Sequence, residues 1–131
     1  MKVVLDTNVL LAAFATRGLC EAVFEVSLDA HEIVLSSHIL NELRRHLRGK
    51  LKLPADRIDD ITSFLKERAT WVKPAKVPAG SCRDRSDLAV LGTAVAGQAD
   101  CLVTGDKDLL TLRKFKSIPI LTPRSFYDSL R

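Results

Sequence analysis

The chain has 131 residues, 47% of them hydrophobic and only 5% aromatic, with 20 basic and 16 acidic side chains for a net charge of +4. That length suits one domain with a core of Leu, Val, Ile and Ala, and the mildly basic balance permits a polyanionic partner without demanding one. Cys20, Cys82 and Cys101 are widely spaced with no CxxC pair, which excludes a zinc knuckle and a disulfide framework; with no basic leader followed by an apolar stretch, and no apolar run near the ~20 residues a bilayer requires, the expectation is a soluble cytoplasmic protein with reduced thiols.

Strand and helix patterns alternate along the chain. The apolar run from Lys2 to Leu5 reads as a buried parallel strand and ends abruptly at Asp6. A helix follows from Val9, breaks near Gly18 and resumes through Glu21, Val23, Phe24 and Leu28. Glu32 to Leu35 reads as a second strand, after which Ser36-Ser37 offers an N-cap for a helix carrying Ile39, Leu40, Leu43 and Leu47. Pro54 opens another helix, with Ile58, Ile61, Phe64 and Leu65 as its apolar stripe. Thr70 to Val72 is a short third strand, and Pro74 to Ser81, with two prolines and a glycine, is a loop. A helix from about Ser86 to Gln98, a strand from Cys101 to Val103, a short helix from Lys107, a strand from Ile118 to Leu121 and a helix opened by Pro123 complete the series. The alternation predicts one domain over residues 1–131, a three-layer α/β/α sandwich around a central parallel sheet.

In open α/β sheets, ligands bind just outside the carboxyl ends of the strands. Asp6 follows the first strand there, and Thr104-Gly105-Asp106 follows a later one. Glu42 lies in the helix after the second strand, and Asp87 shares a helical face with Leu91 and Ala94. Each acid has a local alternative: Asp6 and Asn8 suit an Asx turn, Ser86, Asp84 and Asp87 compete as helix caps, and Asp106 or Asp108 can cap the short helix. Taken together, converging carboxylates repel one another and raise their pKa values unless a cation is present. A site for Mg²⁺ or Mn²⁺, ions that prefer oxygen ligands and assist phosphoryl displacement, is the simplest reading.

Four pieces of the chain resemble the PIN domain, a small metal-dependent ribonuclease domain common among the toxins of bacterial toxin–antitoxin pairs. They are Leu5-Asp6-Thr7-Asn8-Val9-Leu10, Leu40-Asn41-Glu42-Leu43, Arg83-Asp84-Arg85-Ser86-Asp87 and Val103-Thr104-Gly105-Asp106-Lys107-Asp108-Leu109-Leu110. The chain departs from many relatives where Arg85 and Ser86 replace a proline and a further acid. The resemblance implies a PIN-like fold and an endoribonuclease that cleaves RNA with a metal-activated water. It makes Asp6, Glu42, Asp87 and Asp106 the catalytic and metal-binding acids, supported by Asn8, Thr104, Asp84 and Asp108. It also implies a homodimer and a small antitoxin partner. The alternatives are a PIN-like RNA-processing nuclease outside such a pair, and a catalytically inactive module that binds RNA or a partner protein.

Other signals compete. His38, Glu42 and His46 recur every four residues on one helix face, where a zinc site is conceivable. Arg44, Arg45, Arg48 and Lys50 belong to the densest basic cluster, read as either a solvated helix end or a phosphate track for RNA. Arg113, Lys114 and Lys116 form a weaker one. A haloacid-dehalogenase-type phosphatase would need an acid at the position of Asn8, and a receiver domain would need an acid pair at the end of the first strand; this chain has neither.

Overall fold

A computed structural model describes residues 1–130. Strands β1 (Lys2–Leu5), β2 (Glu32–Leu35), β3 (Thr70–Trp71), β4 (Cys101–Val103), β5 (Lys114–Phe115) and β6 (Ile118–Leu121) form a six-stranded sheet in the order β3-β2-β1-β4-β6-β5. Seven helices flank it: α1 (Thr7–Ala15), α2 (Leu19–Ala30), α3 (Ser37–Gly49), α4 (Ala55–Arg68), α5 (Asp87–Ala96), α6 (Lys107–Leu110) and α7 (Pro123–Ser129). This is the three-layer α/β/α arrangement expected from the alternation.

The first strand lies at the centre because its residues leave no face for water. Val3, Val4 and Leu5 are fully buried, as are Val34 and Leu35 of β2 and Leu102 and Val103 of β4. Side chains that are apolar on both faces need cover above and below, and helices supply it. In register, Val4 stands beside Val34 on one side and Leu102 on the other. The chain leaves β1 towards β2 and later returns to β4 on the opposite side, so the crevice between β1 and β4 is the topological switch point of the sheet. Asp6 and Thr104 follow these two strands, and the parallel pairing brings them to the same edge.

Two glycines are required by geometry. Gly18, with φ of 153°, joins α1 to α2 in a conformation that side chains rarely adopt. Gly92 lies in α5 where a Cβ would sit 2.2 Å from the Ala75 carbonyl oxygen. The absent side chain lets the 74–78 segment lie against the helix, with the Ala75 amide donating to the Gly92 carbonyl at 2.9 Å.

The structure corrects several sequence expectations. The sheet is mixed, because β5 pairs antiparallel with β6. The two residues that turn this hairpin, Lys116 and Ser117, both have positive φ, the type I′ signature, without the Asn-Gly that would have announced it. Helix α1 starts at Thr7 rather than Val9 because Asp6 caps it, and α5 runs only from Asp87 to Ala96. Ser36 makes no side-chain cap bond to α3; its buried hydroxyl lies 2.8 Å from Thr93 Oγ1, tying α3 to α5. Phe64 is 38% exposed, and the buried positions of α4 are Ile58, Thr62 and Leu65. One residue before Leu65, Phe64 falls about 100° off the buried face and lies beside Phe24, with Arg68 stacked over its ring.

Candidate active site

Five acids from separate parts of the chain line one cleft of about 440 Å³: Asp6, Glu42, Asp84, Asp87 and Asp106. Thr7, Asn8, Leu11, His46 and Lys50 complete its wall. The local structure explains how each acid arrives there. Asp6 leaves β1 and caps α1, accepting the Thr7 amide at 2.7 Å on Oδ1. Its Oδ2 accepts the Thr104 hydroxyl at 2.8 Å. The Thr104 oxygen in turn accepts the Asp106 amide at 3.0 Å, so one hydroxyl ties the acids behind β1 and β4 together. Asn8 braces the same edge, its Oδ1 accepting the Gly105 amide at 3.2 Å.

Asp106 also caps α6, accepting the Asp108 amide at 3.4 Å. The capping roles of Asp6 and Asp106 are therefore real and coexist with their place in the cleft. Asp84 accepts the Ser86 amide and hydroxyl at 3.0 and 2.9 Å, which shapes the turn into α5 and holds its carboxyl below the ordinary value. That turn delivers Asp87 as the first residue of α5, buried at 8% exposure. Cys82 Sγ, from the preceding loop, lies 3.8 Å from Asp87 Oδ2. Carboxylate oxygens of Asp84, Asp87 and Asp108 come within 4.8 Å of one another. Glu42 approaches from α3, with Oε1 2.7 Å from His38 Nε2 and Oε2 3.7 Å from an Arg45 guanidinium nitrogen.

The electrostatics are those of carboxylates gathered without enough positive charge. Among the described residues, Asp6, Asp84, Asp87, Asp106 and Asp108 form no ion pair with a basic side chain. Burial raises the Asp6 carboxyl, opposed by the bonds from Thr104 and Thr7 and reinforced by the charges of Glu42 and Asp106. Asp87 is pushed up to about 8 by burial, by a hydrogen bond shared with Asp106, and by repulsion from Asp106, Asp6 and Asp84. Thr7 Oγ1 is buried at the cleft wall with no hydrogen-bond partner among the described residues. An all-oxygen donor set, mutual repulsion and an unpartnered hydroxyl fit a hard divalent cation with its water shell.

All four principal acids read from the sequence line this one cleft, with Asp84 and Asn8 beside them, and Thr104 braces Asp6; among the described residues, however, the acids whose ligand atoms come together as a group of three are Asp84, Asp87 and Asp108. The basic cluster is not kept together. Lys50 lines the acidic cleft, and Arg45 leans on Glu42. Arg44 and Arg48 instead line a side groove with Ala55, Ile58 and Asp59. His38, Glu42 and His46 do not bring their ligand atoms together as a group, which leaves the zinc reading without support among the described residues. Thr7 and Cys82 were missed. Thr7 could have been found as the side chain following a strand-end acid; nothing in the spacing of Cys82 announces it.

The family model described as PIN domain matches residues 2–108 of the chain. No curated protein matches it in sequence. Among solved structures, VapBC-1 from nontypeable Haemophilus influenzae is similar to it with a TM-score of 0.66 and 18% identity, over 95% of this chain and 99% of that one. VapBC2 from Rickettsia felis, solved bound to a DNA fragment from its promoter, has a TM-score of 0.64 and 16% identity, over 93% and 98%. FitAcB from Neisseria gonorrhoeae has a TM-score of 0.59 and 17% identity, over 93% and 98%.

Proposed function

The chain belongs to the PIN domain family, and on that premise we propose that it is a divalent-metal-dependent endoribonuclease, the toxin of a type II toxin–antitoxin pair. The observation that carries the nuclease reading is the cleft in which Asp6, Glu42, Asp87 and Asp106 converge with Asp87 raised to about 8. A module that only bound RNA would gain nothing from so much uncompensated negative charge facing a polyanion. The paired names of the fold neighbours, and the promoter DNA bound to one of them, support a partnered toxin with an antitoxin acting on this chain; a homodimer as the assembly is part of the same proposal and rests on the family resemblance alone.

Asp6, Glu42, Asp87 and Asp106 would hold Mg²⁺ or Mn²⁺, with Asp84 and Asp108 placed to assist around Asp87. When bound, such an ion stabilises the charge that develops in an in-line displacement at the phosphodiester. The protein's own contribution is orientation. The Thr7 amide and Thr104 hydroxyl fix both oxygens of Asp6, so the carboxylate keeps one direction without a basic partner. Asn8 holds the Gly105 turn that presents Asp106. Without the ion, Asp87 keeps a proton near neutral pH and shares it with Asp106. His46 of α3 and Lys50, the residue that caps its C-terminus, line the cleft, where the lysine's charge attracts the phosphate backbone.

The test is cleavage of single-stranded RNA by the purified chain. Products should form with Mg²⁺ or Mn²⁺ and cease with EDTA. Undiminished cleavage in excess chelator would overturn the metal-dependent reading, and an intact RNA under every metal condition would overturn the nuclease itself. If the chain is a toxin, its expression should arrest growth, and co-expression of an antitoxin encoded in a small adjacent reading frame should relieve the arrest.

A further inference from the structure

We propose that a second groove, on the other flank of α3, is a nucleotide subsite that takes a base and a phosphate of single-stranded RNA. The groove is about 440 Å³ and is lined by Ser37, Leu40, Asn41 and Arg44 of α3, Lys66 of α4 and Trp71 of β3. Only the identity of the polymer rests on the nuclease reading; the lining stands by itself.

The phase of α3 separates the two sites. Glu42, His46 and Lys50, spaced by four, face the acidic cleft. Ser37, Leu40, Asn41 and Arg44 follow the i, i+3, i+4, i+7 pattern of a different face. Asn41 and Glu42 are consecutive and so about 100° apart, while the faces themselves are centred on nearly opposite flanks of a helix about 10 Å across. A strand held at Glu42 therefore has only the helix to cross before it reaches the groove. Arg45, exposed and next to Arg44, lies on that crossing.

The two sites have opposite chemistry. Among the described residues, five acids line the first, while the second has no acid and carries two cations, Arg44 and Lys66. Neither cation forms an ion pair among the described residues. Trp71 is the chain's one tryptophan and sits on the edge strand of the sheet, half-buried. Its indole N–H donates to the Lys66 carbonyl at 3.1 Å, which immobilises the ring and leaves its π surface as what it can still offer. The exposed Asn41 amide and Ser37 hydroxyl supply donors and acceptors for a base edge. An anchored aromatic ring in a groove that also carries two cations is the combination that binds single strands through stacking and phosphate contact. An acidic peptide would satisfy the cations but leave the ring and amide unused.

The sole tryptophan makes the groove its own reporter. Wild-type protein in EDTA, where RNA stays whole, is titrated with a short oligouridylate while Trp71 emission and the anisotropy of the labelled oligonucleotide are followed. A saturable quench with the same midpoint as the anisotropy change is expected. Arg44→Gln together with Lys66→Gln should weaken binding about tenfold and flatten the log–log salt slope by about 0.7, the value for one lost single-strand phosphate contact. The Mg²⁺-induced rise in melting temperature should stay as in the wild type, because the acidic cleft is untouched. This pair of surface substitutions carries the test because Trp71 also covers the sheet edge and its truncation can unfold the chain. Oligouridylate binding that leaves Trp71 emission unchanged, or a double variant that binds like the wild type, overturns the subsite. Equal quenching and competition by polyglutamate overturns it in favour of an acidic peptide. If quenching occurs but no metal-dependent cleavage is ever found, the subsite stands and the nuclease reading falls.

Discussion

Thr104 and Thr7 decide what Asp6 can be. Both oxygens of that buried carboxylate are held by neutral donors, so its charge is oriented but not neutralised. Asp6→Asn retains an acceptor for the Thr7 amide, and the Thr104 hydroxyl can rotate to accept from the new NH₂ group. The substitution should lower RNA cleavage by orders of magnitude while the melting temperature in EDTA holds or rises, because a repelled buried charge has gone. A variant that unfolds in EDTA, or cleaves at the wild-type rate, would return Asp6 to a capping role alone. Asp87 makes a second prediction. An unfolded carboxyl titrates near about 3.9, and Asp87 in the folded protein titrates at about 8. The native state therefore binds the extra proton between those values. This stability is fully present below the unfolded value and is lost as pH rises through about 8. In EDTA, unfolding free energy should decline from about pH 5 to pH 8, and Asp87→Asn should flatten the decline in denaturant titrations.

At the scale of elements, α3 works as a partition. It buries Ile39, Leu40, Leu43 and Leu47 and turns its remaining faces to different pockets. Two basic residues close in sequence should then behave differently. Lys50→Ala should raise KM for RNA and reduce its salt dependence, whereas Arg48→Ala, beside Ala55 and Ile58, should change both much less. Equal effects would mean that the basic helix end acts as one diffuse patch. Helix α5 gives a test of packing. Gly92→Ala gains up to about 1 kcal/mol of helix propensity. The added Cβ meets a backbone oxygen rather than a flexible side chain, and overpacking of that kind costs about 1–3 kcal/mol, to which part of the Ala75–Gly92 hydrogen bond is added. Destabilisation should win, and chemical denaturation would read it; a more stable variant would show that the 74–78 strap gives way easily.

For the molecule as a whole, the net charge of +4 and the acidic cleft coexist because five of the 16 acids are gathered in the cleft, which leaves the rest of the chain net basic. Net positive charge outside the cleft favours encounter with a polyanion at low salt, while the cleft presents a deficit of positive charge that a divalent ion can fill. Mg²⁺ should therefore raise the melting temperature of the wild type by mass action. The rise should grow with pH between about 6 and 8 as the Asp87 proton is displaced, and EDTA should reverse it. A melting temperature indifferent to Mg²⁺ at all pH values would mean that the cleft holds no ion. Among the described residues no helix is long and apolar enough to cross a membrane.

The sequence by itself determined the order of strands and helices and the position of the acids, because both are local properties. Doubly buried strands such as Val3-Val4-Leu5 are apolar throughout, and a polar residue directly after such a run falls at the strand's carboxyl end. What the tertiary structure alone decided is which side chains meet. The parallel pairing of β1 with β4 brings Asp6 to Thr104 across 98 positions of sequence, and no spacing rule reaches that far. The antiparallel β5 stayed hidden because its turn uses Lys116 and Ser117 at positive φ, which tertiary packing sustains where propensity would not. The basic run looked like one patch on paper; helical phase divided it, since residues one apart point about 100° apart. Trp71 and Arg44, separated by a whole helix in the chain, share a groove only because β3 pairs with β2 and places its edge beside α3.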